Sequence, residues 1–225
     1  MSNSDKNQEP LYAKHLSRLT RPFVNFDFPF IRRVRERAVD CLRLGLGGQV
    51  LDLGCGGGGS FPYLERAVGP HGQIVGVDVS SQSCLNARRR AQSHGWNNIR
   101  VIEDSAERVV LSGRYDGALM FAAPDVYTSE SALIHVLSLL KSDARVSIFG
   151  AKFSGRQFGK LLDSFFRFMF RALSPATPLP DEAPWRLLAR RLKDLSVEEY
   201  FYGSMFLACG TLKGVEELGP LPETE

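Results

Sequence analysis

Three aspartates and a run of glycines are the residues of this chain best suited to chemistry. Val50–Ser60 reads VLDLGCGGGGS, an apolar stretch carrying the carboxylate of Asp52, then glycines ending at a helix-capping serine. Glycine has no Cβ, so such a turn permits positive φ and close approach of a ligand to the backbone, as a nucleotide-like molecule requires. Two further acids follow at strand ends: Asp78 closes the apolar run Gln73–Asp78, and Asp104 stands in VIEDSAE, Val101–Glu107. Gly54, Gly56 and Gly59 satisfy G-x-G-x-x-G, the turn that cradles a pyrophosphate, with Asp78 near the usual spacing of about 20 residues for a ribose-binding acid. The same residues also read Asp52-x-Gly54-x-Gly56-x-Gly58, with an acid ahead of the glycines.

The two patterns differ in the charge they suit. A carboxylate at Asp52 repels a phosphate and attracts a cation. With the acid placed first, the stretch resembles the first motif of the class I S-adenosylmethionine-dependent methyltransferases, whose donor carries a sulfonium and an ammonium and no phosphate. The resemblance covers about residues 49–150. It implies S-adenosylmethionine as cofactor, held by Asp52, Gly54, Cys55 and Gly56 in the turn and by Asp78 and Val79 after strand two, where Asp78 accepts from the ribose hydroxyls. Asp104 and Ser105 follow after strand three, with Asp104 accepting from the adenine amino group, and Phe121 ends strand four. The family also closes its sheet with an antiparallel hairpin, for which Ser196–Tyr202 and Ser204–Thr211 are suited, with Gly203 between. An NAD(P)-dependent oxidoreductase using the overlapping G-x-G-x-x-G turn is the competing enzyme class, and a non-catalytic cofactor-binding protein the third reading.

The elements around these residues alternate. Ile31, Val34, Ala38 and Leu42 recur at helical spacing, and glycines stop them before the first strand. Ser60 is suited to cap a helix through Val68, and Ser80 or Ser81 one that runs to His94 and ends at Gly95. Strands are expected at Gln73–Asp78, Ile99–Glu103, Tyr115–Phe121 and Ala144–Gly150, with a helix from Ser129 to Leu140 between the last two. Strands alternating with helices predict an α/β fold, a Rossmann-like open sheet. It should be mostly parallel, with a C-terminal antiparallel hairpin strand and helices on both faces.

Composition bounds the rest. The 225 residues, 44% of them hydrophobic, can bury one full core. A net charge of +3 does not by itself indicate nucleic acid. Residues 1–10 are polar and expected to be disordered, without a signal-peptide core, and no stretch approaches the ~20 apolar residues of a membrane span. A cytoplasmic protein is expected. Cys41, Cys55, Cys84 and Cys209 lie far apart, with no C-x-x-C and no histidine at metal-ligand spacing, and read as reduced thiols rather than a metal site.

The methyl acceptor should be met by segments without motifs. Residues 11–30 are aromatic and basic, and either pack on the core or cover the site as an N-terminal lid. A methyltransferase domain is expected over 31–213, with a helical insertion at 152–193 and a flexible tail at 214–225. Within the insertion, Phe158, Leu161, Leu162, Phe165, Met169 and Leu173 follow helical spacing opposite basic residues. This stripe can pack on the sheet, line an apolar acceptor cavity, or rest on an anionic membrane surface. Phe166, Phe168 and Phe170 make the helix apolar around more than one side, which favours a stripe that meets both the core and an apolar ligand. Trp185–Leu192 reads as a further basic helix. The Pro184–Trp185 pair and the position of the insertion look like methyltransferases acting on quinones, phospholipid head groups and small secondary metabolites. That resemblance implies a small-molecule acceptor, the stripe adds a lipid-like acceptor and peripheral membrane contact as expectations, and Phe121–Tyr127, which lacks the Asn/Asp-Pro-Pro-Tyr/Phe signature of base and protein-glutamine methylation, disfavours nucleic acid. Tyr12, Phe158, Phe165 and Met169 are the expected acceptor-binding side chains. Of the groups able to take a proton, namely His15, Tyr12, Asp125, Tyr127 and Lys152, His15 and Tyr127 are the catalytic candidates.

Overall fold

The computed structural model describes residues 29–152 and 183–214. Helix α1 (Pro29–Asp40) precedes strand β1 (Gln49–Leu53), followed by α2 (Phe61–Val68), β2 (Gln73–Asp78), α3 (Ser81–Ser93), β3 (Ile99–Glu103) and β4 (Tyr115–Phe121). Two helices, α4 (Pro124–Tyr127) and α5 (Glu130–Ser138), lead to β5 (Leu140–Ala151), and α6 (Arg186–Ala189) precedes β6 (Leu192–Tyr200) and β7 (Met205–Leu212). The seven strands stand in the order β3-β2-β1-β4-β5-β7-β6. The β3 to β5 pairs are parallel, and β7 runs antiparallel to both of its neighbours. The expected Rossmann-like sheet is therefore present.

Period-two alternation divides the core between the two faces of the sheet. Val50, Ile74, Leu119, Phe149 and Leu207 point to the face covered by α1, α2 and α3, where Val34, Leu42, Phe61 and Ala87 are buried. Leu51, Leu53, Val75, Val77, Met120 and Ile148 point to the other face, against Val126, Leu133, Val136 and Leu188 of α4, α5 and α6. Asp52 lies between Leu51 and Leu53, so alternation turns its carboxylate toward the α1–α2 face, where it is 1% exposed.

Some caps and ends stand where expected and others differ. Ser80 and Ser129 cap α3 and α5 through their side chains, and Gly95 turns the chain at φ 70 after α3. Ser60 precedes α2 without capping it, because its hydroxyl accepts from Arg35 instead. Strand β5 starts at Leu140 instead of Ala144, pairing Leu140 with Tyr115 before a bulge that includes Asp143 at φ 62. The helix expected over Trp185–Leu192 is a single turn, since Leu192 already pairs with Leu212. A Cβ on Gly210 would stand 2.8 Å from the Leu192 side chain, so this glycine gives Leu192 its room. Strand pairing overrides the local helical pattern there. The hairpin tip is wider than one glycine: Phe201, Tyr202 and Gly203 all take positive φ, at 49, 55 and 88. The expected disordered residues 1–10, most of the N-terminal lid, the amphipathic stretch within 153–182 and the tail from 215 lie outside the described residues. Among the described residues, no helix is long and apolar enough to cross a membrane.

Candidate active site

The site forms where the carboxyl ends of β1, β2, β3 and β4 meet, as expected for the crevice of an open parallel sheet. The backbone N–H groups of Gly54 and Cys55 both donate to the carbonyl of Val77, at 2.8 and 3.1 Å, which folds the glycine turn back onto β2. Gly54 takes φ 66, and a Cβ there would meet the Cβ of Ala123 at 2.6 Å. Glycine is thus required both by conformation and by the close approach of the β4–α4 loop. Across the turn, Asp78 Oδ2 accepts from the Gly56 N–H at 2.8 Å and Oδ1 from the Ser80 N–H at 2.9 Å. One carboxylate therefore ties the glycine turn to the start of α3.

A cleft of about 430 Å3 opens beside this turn, and its lining includes Gly54, Asp78, Val79, Asp104, Ser105, Glu107, Ala122, Ala123 and Asp125. Four of these are acids, and no lysine or arginine lines the cleft among the described residues. Asp104 Oδ1 accepts from the Ser105 N–H at 2.7 Å and from Arg108 Nε at 3.0 Å, which holds its carboxyl below the usual range. The hydroxyls of Ser129 and Ser131 both donate to Glu107 Oε1 at 2.8 Å and lower its carboxyl likewise. Desolvation pushes Asp78 and Asp125 up, and the charge of Asp125 adds to the rise at Asp78. Val79, 64% exposed, is an apolar side chain standing open among the acids. Ala122 enters the cleft at φ 59, a conformation that costs a non-glycine residue about 1–3 kcal/mol and clusters at ligand sites.

Asp52 lies behind the cleft wall and is its least satisfied acid. Burial pushes its carboxyl up to about 7, while Arg35 draws it down and Asp78 adds to the rise. Its Oδ2 has no hydrogen-bond partner among the described residues. Orphaned buried oxygens call for an explanation, and a positively charged ligand group on the far side of the glycine turn provides one. Arg35, from α1, lies 4.2 Å over the ring of Phe121 and donates to Ser60 Oγ at 3.0 Å. Phe121 itself stacks on Phe149 at 4.4 Å. A buried acid with one unsatisfied oxygen, a glycine turn open to close approach and a cleft lined by four acids, one of them, Asp104, ion-paired to Arg108, fit a cationic nucleoside and disfavour a pyrophosphate.

Of the residues expected to hold the cofactor, Gly54, Asp78, Val79, Asp104 and Ser105 share this cleft. Asp52, Gly56 and Phe121 stand behind or beside the wall. Cys55 is buried under the turn: its sulfur sits where Gly76 leaves space, and burial pushes its thiol up. Tyr127, expected to face the reacting groups, lies instead in the core at 1% exposure. It packs edge-on against Phe206 with its hydroxyl over Gly150, and burial raises its phenol. The turn of α4 that puts Asp125 on the cleft rotates Tyr127 inward. His15, Tyr12, Phe158, Phe165 and Met169 fall outside the described residues. Two residues of this region carry no distinct signal in the sequence: Glu107, within VIEDSAE, lines the cleft, and Arg35, next to Val34 at the margin of the α1 stripe, reaches Phe121 and Ser60.

Comparison with known proteins agrees with this geometry. Residues 50–143 match the Methyltransf_25 family model, described as a methyltransferase domain. The ubiquinone/menaquinone biosynthesis C-methyltransferase UbiE of Erwinia tasmaniensis is 27% identical over 169 residues, 72% of this chain and 66% of that protein. Nocamycin O-methyltransferase of Saccharothrix syringae is 32% identical over 127 residues, 54% of this chain and 44% of that protein. These matches span from under half to about two thirds of those relatives' lengths. The N-methyltransferase NodS of Bradyrhizobium japonicum WM9, solved in complex with S-adenosyl-L-homocysteine, superposes with a TM-score of 0.64 at 16% identity. That match covers 89% of this chain and 98% of NodS, and at this identity it speaks to the fold. Residues 50–143 thus resemble a methyltransferase domain on a fold shared with solved methyltransferases, and the oxidoreductase reading is not favoured.

Proposed function

We propose that this chain transfers the methyl group of S-adenosylmethionine to a small, apolar or amphiphilic acceptor. The observation that carries the reading is the cleft's charge: Asp78, Asp104, Glu107 and Asp125 line it, and behind it Asp52 has an oxygen without a hydrogen-bond partner among the described residues. Acids in excess of the cations that meet them suit a donor that brings its own positive charge. Bound there, S-adenosylmethionine supplies an activated methyl group on a positive sulfur. Asp78 would hold it at the ribose hydroxyls and Asp104 at the adenine amino group, in the cleft that Val79 and Ser105 also line. Gly54 and Gly56 admit the backbone, Asp52 acts on the cationic end, and Phe121 with Cys55 shapes the wall beneath.

With the methyl group already activated, the chain has to hold the acceptor in line, exclude water and receive a proton where the nucleophile carries one. Asp125 is the described carboxyl suited to that last task, because it opens on the cleft and desolvation raises its proton affinity. His15 remains a candidate from sequence. The apolar spacing of Phe158, Phe165 and Met169 in the sequence, together with Tyr12, supports an apolar acceptor. Such an acceptor partitions into bilayers, so peripheral membrane contact belongs to the same reading. The four free cysteines fit a reducing, cytoplasmic setting.

Incubation with methyl-labelled S-adenosylmethionine and a cell extract tests the proposal. Label is expected in small molecules that partition into organic solvent. Label confined to water-soluble products would overturn the apolar acceptor, and label in RNA or protein would overturn the small-molecule reading.

A further inference from the structure

A second polar cluster lies on the same edge of the sheet as the cleft, on the side of β5, β7 and β6. Phe149 of β5 pairs with Phe121 of β4, and Lys152 follows three residues later at the strand's end. Lys152 is buried, with its side chain 9% exposed. Its ammonium pairs with Glu199 of β6 and lies 5.5 Å from the ring centre of Trp185, which in turn packs on Phe206 at 4.8 Å. The Lys152 N–H donates to the carbonyl of Ser204 at 3.0 Å, so the two residues adjoin. Ser204 is fully buried, and its hydroxyl has no hydrogen-bond partner among the described residues.

Two features of this cluster need a reason. An ammonium carries three donor protons, and among the described residues Glu199 is the only hydrogen-bond acceptor that meets this one. The neighbouring hydroxyl meets none. Buried donors left without acceptors cost stability and are retained where a ligand completes them. Trp185, beside Lys152, is only partly buried on the core and keeps part of its ring open, and Glu199, on the edge strand and 39% exposed, keeps the lysine in place without enclosing it.

We infer that Lys152 and Ser204 form the polar end of the acceptor subsite and bind a ring oxygen, keto or phenolate, of a flat acceptor lying against Trp185. The inference rests on the reading of the chain as a small-molecule methyltransferase and adds the acceptor's chemical class. Neighbouring strands stand about 4.8 Å apart, so a molecule one or two rings long spans from the end of β4 to this cluster. Its oxygen sits at Lys152 while the atom to be methylated faces the cleft.

The test is calorimetric titration of the protein saturated with S-adenosylhomocysteine. The probes are 1-indanone and 5-indanol, against the oxygen-free ring indane. Wild type should bind the two oxygenated rings about tenfold or more tightly than indane, the range of a hydrogen bond to a charged group. Lys152→Met should abolish that preference and leave S-adenosylhomocysteine binding unchanged. If Lys152→Met upsets folding by stranding Glu199, Ser204→Ala removes only a buried hydroxyl and should narrow the preference. A wild type that binds indane as tightly as 1-indanone, or a Lys152→Met protein that keeps the preference, overturns the inference. Failure of wild type to bind S-adenosylhomocysteine would instead strike at the methyltransferase reading itself.

Discussion

The two sides of the sheet meet their ligands by different means. Where β1, β2 and β3 end, each chain segment turns sharply and offers a carboxylate: Asp52 before the glycine turn, Asp78 bonded to Gly56 and Ser80, and Asp104 bonded to Ser105. Where β5, β6 and β7 end, the groups are a buried ammonium at Lys152, a buried hydroxyl at Ser204, and aromatic rings. The ring of Phe30, on α1, packs 4.2 Å from Phe201 at the hairpin tip. The first side suits one cationic cofactor and is built from short-range backbone bonds. The second is assembled from residues far apart in the chain and suits whatever acceptor this protein takes.

Substitutions should separate the two sides. The largest effect is expected from Asp78→Ala, which removes the acceptor of two backbone N–H groups that hold the turn. S-adenosylhomocysteine should bind about a hundredfold more weakly in calorimetry, about 3 kcal/mol, while the acceptor-side preference for oxygenated rings survives. Gly54→Ala combines strained φ with a 2.6 Å approach to Ala123. It should lower stability by about 2–3 kcal/mol in urea unfolding and weaken the cofactor more than the acceptor.

Asp52→Asn sharpens the contrast because it should move stability and binding in opposite directions. Burial raises this carboxyl in the folded protein from 3.8 to about 7. Its contribution to stability is therefore fully present at acid pH, below its unfolded value, and is lost as pH rises toward 7. Removing the charge should stabilise the ligand-free protein on the order of 2 kcal/mol at about pH 8, and by little at about pH 4, in thermal melts. The same variant should bind S-adenosylmethionine about tenfold more weakly, having lost the charge that faces the cation. The smallest effect is expected from Arg35→Ala. The loss of the Ser60 hydrogen bond and the ring contact with Phe121 should cost about 1 kcal/mol of stability, read by thermal melts.

The same division decides what could be read from sequence. The glycine turn, the acid-ended strands and the serine-capped helices were legible because each is fixed by backbone constraints within a few residues. Asp52 was legible as a candidate acid since nothing apolar recommends a carboxylate between Leu51 and Leu53. The inward turn of Tyr127 was not, because it depends on the phase of the one-turn helix α4. Nor was the partnership of Arg35 with Phe121 and Ser60, which exists only once α1 has packed across the sheet. The early start of β6 depends on room at Gly210, a residue of the next strand. Lys152 could be named from its place after strand five, but its neighbours Glu199, Trp185 and Ser204 come from the hairpin and the chain before it.

The most direct test of the central claim, that the acidic cleft is a site for a cationic nucleoside, is calorimetric titration with S-adenosylmethionine and with NADH from about pH 6 to about pH 8. S-adenosylmethionine should bind, more tightly as pH rises and Asp52 becomes charged, with a proton released on binding near pH 7. NADH should not bind. Binding of NADH as tight as that of S-adenosylmethionine, or affinity for the latter that falls as pH rises, would contradict the account.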